Sequence, residues 1–229
     1  MAMYDQLREN VATVRRQIEE SLRLSGREGT PVTIVAVSKR HPAEAVEAAI
    51  EAGMTDVGES RVQETVQKKP AVKGTCRWHL IGHLQSNKIN KAIELYDMIQ
   101  SIDSYELAVA INDRLNRPMD ILLQVDSSGE ETKFGIDPVE IRNVAAKVSS
   151  LGKVRICGLM TIGPLTEDET RIRHSFKLTK SLFESLKCEE LPNCDMKYLS
   201  MGMSGDYRVA VEEGSNMLRI GTAIFGPRK

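Results

Sequence analysis

The chain has almost no excess charge: 31 basic and 32 acidic residues leave a formal net charge of -1. Without a basic field there is no electrostatic basis for a nucleic-acid partner, and without an acidic block there is no solvating tail. It also lacks any Cys-x-x-Cys pair. Cys76, Cys157, Cys188 and Cys194 are scattered, which excludes a zinc site of ordinary spacing and a disulfide frame, so reduced and mostly buried thiols are expected. The N-terminus carries Asp5, Arg8 and Glu9 where a signal peptide would have an apolar core, and no apolar run reaches membrane-spanning length. A cytoplasmic protein with no membrane partner is the expectation. Low-complexity tracts and long linkers are missing as well, so residues 1–229 are read as one domain.

What is present is a strict alternation. Candidate strands at 32–38, 55–57, 78–82, 98–102, 120–126, 154–162, 196–201 and 217–225 are separated by helical segments. Eight strands alternating with helices predict an α/β fold, a single (β/α)8 barrel. Pro42 opens and Gly53 closes the first intervening helix. Asp137-Pro138-Val139-Glu140 predicts an N-cap, a first-turn proline and a capping-box glutamate, and Thr166-Glu167-Asp168-Glu169 repeats the device. After it, Ile172, Phe176, Thr179, Phe183 and Leu186 fall on one helical face. An additional N-terminal helix, with Tyr4, Leu7, Val11, Val14, Ile18 and Leu22 as its apolar face, is expected to fill an outer position of the barrel. After the eighth strand only a few residues remain, so no C-terminal β domain is expected.

The chemistry begins at Lys39, the last residue of Val32-Thr33-Ile34-Val35-Ala36-Val37-Ser38-Lys39. A run without polar alternation reads as a parallel strand buried on both faces, and its end emerges at the carboxyl edge of the barrel. There a lysine either snorkels to solvate the strand end or, partly desolvated, serves as a neutral nucleophile for an aldehyde. Near the C-terminus, Leu199 to Asp206 leaves the seventh strand and Arg219-Ile220-Gly221-Thr222 leaves the eighth. Loops after strands seven and eight, with a helix expected from Ser204, form the recurrent phosphate site of barrels. Ser204 as a plain helix cap with turn glycines is the competing reading. Barrel closure makes strands one and eight neighbours, so the amine and the phosphate site can face each other. A ligand carrying both an aldehyde and a phosphate fits.

Here the residues resemble a known family, the pyridoxal phosphate homeostasis proteins related to the barrel domain of alanine racemase. The resemblance rests on Val35 to Lys39, Gly58-Glu59-Ser60-Arg61-Val62-Gln63-Glu64, His79 to Lys88, Lys133-Phe134-Gly135, Gly158-Leu159-Met160-Thr161, Leu199 to Ser204 and Arg219 to Gly226. It implies pyridoxal 5'-phosphate (PLP) as cofactor, held on Lys39 as a reversible aldimine, with Ser204 and the Gly221-Thr222 turn on the phosphate. Arg219 is placed by the pyridine nitrogen. From their alternation along the strand end, Met201 and Met203 read as core or pocket lining, and Met203 is counted among the cofactor-binding candidates. Two positions depart from the family pattern: Ser60 stands where the Gly-Glu-Asn motif has Asn, and His83 where an Arg is frequent. Ser60 with Gln63 is expected to form a capping box.

Weaker signals point elsewhere. His79 and His83 have the spacing of helical metal ligands, but a strand over 78–82 points them differently, and no metal is expected. Asn87, Lys88 and Lys91 read as the solvated start of a helix.

Two functions share this cofactor: a binding protein for PLP homeostasis, with PLP-dependent apoenzymes as recipients, and an amino-acid racemase. A racemase needs two acid/base groups. In alanine racemases the second is a tyrosine from a partner subunit that carries an additional β domain, and this chain has no room for one after Gly226. Arg219 beside the ring disfavours a protonated pyridine and weakens the electron sink, which limits the chemistry without excluding racemisation, because functional alanine racemases resemble this Arg pattern too; the missing domain is the stronger discriminator. A binding protein without robust catalysis is therefore the expectation, and no catalytic residue is assigned.

Overall fold

In the computed structural model, residues 2–130 and 134–227 are described, with side chains from Asp5 onward. Lys133, the side chain of Tyr4 and the final Arg228-Lys229 lie outside the described residues. Eight parallel strands close on themselves: β1 (Thr33–Val37), β2 (Asp56–Glu59), β3 (Arg77–Leu80), β4 (Met98–Ile102), β5 (Met119–Val125), β6 (Val154–Thr161), β7 (Cys194–Ser200) and β8 (Met217–Ile220). Closure is made by β1 on β8, in the register Thr33↔Met217 and Val35↔Arg219. The helices are α1 (Ala2–Leu24), α2 (Ala43–Glu51), α3 (Val62–Lys68), α4 (Ile89–Leu95), α5 (Tyr105–Asn112), α6 (Ile141–Ser149), α7 (Glu169–Lys187), α8 (Tyr207–Glu212) and α9 (Thr222–Phe225).

Two apolar regions hold this arrangement. The larger lies between strands and helices. There α7 buries Ile172, Phe176, Thr179, Phe183 and Leu186, the face its spacing predicts, with Ser175 beside them. The extra helix α1 buries Leu7, Val11, Val14, Ile18 and Leu22 and packs against α2, α8 and α9. The smaller region is the barrel interior, where Val35, Met98, Leu122, Cys157, Met160 and Met217 meet. Side chains alternate along a strand, so the interior positions two residues further on are Gln100 after Met98 and Arg219 after Met217. These are polar, and the interior changes character toward the carboxyl ends.

Several helix starts differ from the sequence-based expectation. The α6 helix begins at Ile141; Asp137 instead accepts the Val139 N–H at 2.9 Å and closes a turn ahead of it. On α7 the cap is Asp168, which accepts the Thr170 and Arg171 N–H groups. At α3 the N-cap position belongs to Arg61, with no side-chain cap, so the box expected from Ser60 and Gln63 does not form. The eighth strand ends at Ile220 rather than 225, because the backbone turns at Gly221 and closes one short helix. The cysteines are all free, but only Cys157 is fully buried; Cys76 and Cys194 are half-buried and Cys188 is exposed. Burial pushes the Cys157 thiol up to about 12, so it remains protonated near neutrality.

Among the described residues, no helix is long and apolar enough to cross a membrane.

Candidate functional site

The carboxyl ends of β1, β7 and β8 converge on one region. After β1, Ser38 continues the pairing with β2 by donating its N–H to Gly58 O at 3.1 Å, and the chain then turns, with the His41 N–H returning to Ser38 O at 2.9 Å. Lys39 sits half-buried in this turn. The next residue, Arg40, takes a φ of 64°, a left-handed conformation that costs a non-glycine residue about 1–3 kcal/mol. Its N–H is held by Glu64 Oε2 at 3.0 Å.

A buried ion pair fixes the turn from behind. Ser38 Oγ donates to Glu59 Oε1 at 2.6 Å, Lys68 pairs with the same oxygen, and Lys68 Nζ donates to Ser38 O at 2.8 Å. The carbonyl preceding Lys39 is thus clamped by an ammonium. Burial pushes the Glu59 carboxyl above its ordinary value and outweighs the stabilisation from Lys68 and Ser38. Its second oxygen, Oε2, is buried with no hydrogen-bond partner among the described residues. The sequence reading missed Glu59 and Lys68; the signal available was a glutamate in a four-residue strand buried throughout.

Ser204 is placed differently from either reading made of it as a helix start. The α8 helix begins three residues later, at Tyr207, and Asp206 turns back to accept the Met203 N–H at 2.5 Å. Ser204 Oγ instead accepts the Gly221 N–H at 3.3 Å and the Ala223 N–H at 3.2 Å, at the start of α9. The hydroxyl therefore marks the point where two backbone N–H groups of that turn converge. Two glycines allow the loops to approach. At Gly202, φ is 96° and a β-carbon would lie 2.5 Å from Ala210 Cβ; at Gly221, a β-carbon would lie 3.3 Å from Val37 O. The second contact brings the turn against the end of the strand that carries Lys39. His41 stacks on Phe225, with ring centroids 5.0 Å apart, and ties the two segments together again.

Arg219 lies beneath them at 3 % exposure. Its guanidinium donates to Ser200 Oγ at 2.7 Å and to Thr161 O at 2.6 Å. Burial pushes its pKa down to about 10, with Asp206 acting in the opposite sense. It therefore keeps its charge near neutrality.

Of the six residues expected at the site, Lys39, Ser204, Arg219, Gly221 and Thr222 come from strand ends that meet at one mouth. Met203 stands beside Ser204 with its side chain exposed on the rim. His79 and His83 are held apart by different partners. His79 bonds Asp56 at 2.8 Å inside the barrel, whereas His83 bonds Asp103 at 2.9 Å and stacks on Phe134 with centroids 4.0 Å apart. The Ala223 N–H was not anticipated, because the strand reading ran through it.

Comparisons with known proteins identify the family and the fold. The family described as alanine racemase, N-terminal domain, matches residues 3–229. The chain is 37 % identical over 228 residues to the pyridoxal phosphate homeostasis protein of Pasteurella multocida, covering 97 % of each. It is 39 % identical over 230 residues to the protein of that name from Escherichia coli K12, covering 96 % of this chain and 95 % of the other. Among solved structures, PipY of Synechococcus elongatus PCC7942 with PLP bound superposes with a TM-score of 0.83 at 36 % identity, covering 96 % of this chain and all of that one.

Proposed function

The chain belongs to the alanine racemase N-terminal domain family, and on that premise we propose that it binds pyridoxal 5'-phosphate and serves the intracellular homeostasis of that cofactor. Its 37 % identical relative from Pasteurella multocida carries the corresponding name, and the PipY structure holds the cofactor. One observation carries the reading at the level of residues. The Ser204 hydroxyl and the Gly221 and Ala223 N–H groups converge against the end of the strand that leads to Lys39.

The donor set fits a phosphorylated aldehyde. A phosphate oxygen accepts hydrogen bonds, and the α9 turn offers backbone donors with the Ser204 and Thr222 hydroxyls beside them. Lys39 stands across the mouth, clamped through Ser38 O by Lys68, so its amine is presented from a fixed turn. When bound, the cofactor supplies an electrophilic aldehyde. Lys39 Nζ would add to the aldehyde carbon and water would leave, giving a link that hydrolysis reverses. Arg219, charged and buried, is assigned to the pyridine nitrogen, where a guanidinium opposes protonation of the ring.

We assign residues 1–229 to one barrel domain, PLP-dependent apoenzymes as recipients of the cofactor, and the cytoplasm as the compartment. The compartment is supported by four unpaired cysteines, as reducing conditions keep them.

The experiment is an absorption spectrum of the purified chain with PLP, followed by borohydride reduction and peptide mapping. A visible band that reduction removes, leaving phosphopyridoxyl on Lys39, is expected. Label confined to another lysine, or no uptake at all, would overturn the assignment.

A further inference from the structure

Five polar side chains form a continuous line through the interior of the barrel, and only the last belongs to the site described above. Asp56 on β2, His79 on β3, Gln100 on β4, Ser200 on β7 and Arg219 on β8 are all at most 5 % exposed. Asp56 Oδ1 lies 2.8 Å from His79 Nε2, and His79 Nδ1 lies 3.0 Å from Gln100 Nε2. Gln100 Oε1 accepts the Ser200 hydroxyl at 2.7 Å, and Ser200 Oγ accepts from Arg219 at 2.7 Å. Gln100 Nε2 also touches Met217 Sδ at 3.3 Å, and Thr55 Oγ1 donates to the free side of Asp56 at 2.6 Å.

Chemistry fixes the direction of every bond in this line. A guanidinium has donors only, so Ser200 must accept at Oγ and has one proton left to give. Gln100 Oε1 takes that proton, which turns the amide NH2 toward His79. His79 Nδ1 must then be an acceptor, and the ring proton sits on Nε2 facing the Asp56 carboxylate. The opposite amide orientation would aim two donors at Ser200 and leave its own proton with no acceptor in the line. One consistent assignment therefore runs from a cation under the mouth to an anion deep in the barrel.

We propose that Gln100 is a positioning residue for the cofactor site: its amide locks this line so that Ser200 presents an acceptor to Arg219 and holds the guanidinium in place beneath the mouth. The proposal rests on reading that mouth as the pyridoxal phosphate site. Among the described residues, the Arg219 guanidinium donates to Ser200 Oγ and Thr161 O, and of these two hydrogen bonds only the first can be lost by changing a side chain. With the lock removed, the Ser200 hydroxyl is free to turn, and the guanidinium shifts against the pyridine nitrogen it faces.

The test has two parts on the full chain. First, 15N NMR of histidine-labelled protein without cofactor reads the His79 ring, assigned by replacing His41, His83 and His174 in turn. The Nε2–H form is expected; an Nδ1–H form or an imidazolium overturns the locked line. Second, Gln100→Leu and Ser200→Ala are titrated with PLP. Each should weaken binding roughly 5- to 10-fold, the loss expected for one buried hydrogen bond, and each should move the visible band of the bound cofactor. Combining the two should cost no more than either alone, because both break one line, whereas either combined with Thr222→Val should multiply. A purely structural defect would not give that pattern. Ser200→Ala removes a single oxygen and carries the test if Gln100→Leu does not fold. Unchanged affinity and spectrum in the folded variants, beside a wild type that takes up cofactor, overturn the positioning role alone. A wild type that takes up none overturns the reading of the mouth instead, with the histidine result standing apart from it.

Discussion

The Ser204 hydroxyl accepts the Ala223 N–H at 3.2 Å across a separation of 19 residues, joining the loop after β7 to the short helix after β8. A single oxygen is thus the meeting point of two loops and of the N–H groups that a phosphate would use. Its own proton remains available as a donor. Ser204→Ala should therefore remove one hydrogen bond to a charged acceptor, a loss of about 1.5–3 kcal/mol or roughly one to two decades in affinity. Titration should show this for PLP and not for pyridoxal, which lacks the phosphate. Equal losses for both ligands would remove the phosphate assignment.

Lys39 and the phosphate turn are assigned separate bonds to the cofactor, so their effects should separate. Lys39→Ala is expected to abolish the visible band and the borohydride-fixed adduct while leaving weaker, phosphate-dependent binding. Equilibrium dialysis against PLP, with inorganic phosphate as competitor, measures what is left. An adduct that persists in this variant would transfer the covalent role to another lysine.

The pair behind Lys39 makes a stability prediction. Lys68→Met leaves the Glu59 carboxylate buried without its ammonium partner, and breaking a buried pair from one side costs about 3–5 kcal/mol. Urea unfolding should show the loss, and adding Glu59→Gln should recover part of it. The pH dependence has a definite sign. The folded pKa of Glu59 is raised, so its contribution is fully present below the ordinary value of 4.5 and is lost as pH rises through the raised value. Glu59→Gln should therefore reduce the fall in stability over that interval. A steeper fall in the variant would contradict the burial argument.

The barrel was legible because its signal is repetitive. Each buried strand needs only a short apolar run, and β4 begins and ends at the residues its run predicts, Met98 and Ile102. Lys39 could be singled out as a candidate for the same reason, since an amine closing an apolar run has few places to go. The turn at Gly221 could not. Apart from Arg219, Gly221 and Thr222, residues 217–225 are apolar, and a four-residue helix is too short to impose a period of its own. The interior line was hidden by distance. Alternation assigns His79, Gln100 and Ser200 to the inner face one strand at a time. That Ser200 meets a partner 100 residues away depends on closure and stagger, which no local pattern records. The capping box at Ser60 failed for a related reason: the β2 exit packs so tightly that a β-carbon on Gly82 would lie 2.3 Å from Ser60 O, and tertiary contact sets where α3 starts.

Arg219, the residue assigned to the ring, keeps its charge near neutrality, since burial lowers its pKa only to about 10. Lys39 is the one amine assigned to the reacting end of the site, and proton transfer on both faces of an α-carbon needs a second group. The protein should therefore exchange PLP while turning over amino acids slowly or not at all. The comparison pairs α-proton exchange and enantiomer conversion, over a panel of amino acids, with transfer of bound PLP to an apoenzyme. Sustained turnover on the order of 1 per second or faster is ordinary for an enzyme and would replace the homeostasis reading with a racemase. Transfer that outpaces the free dissociation of PLP, without such turnover, is the outcome expected of a protein that holds the cofactor for others.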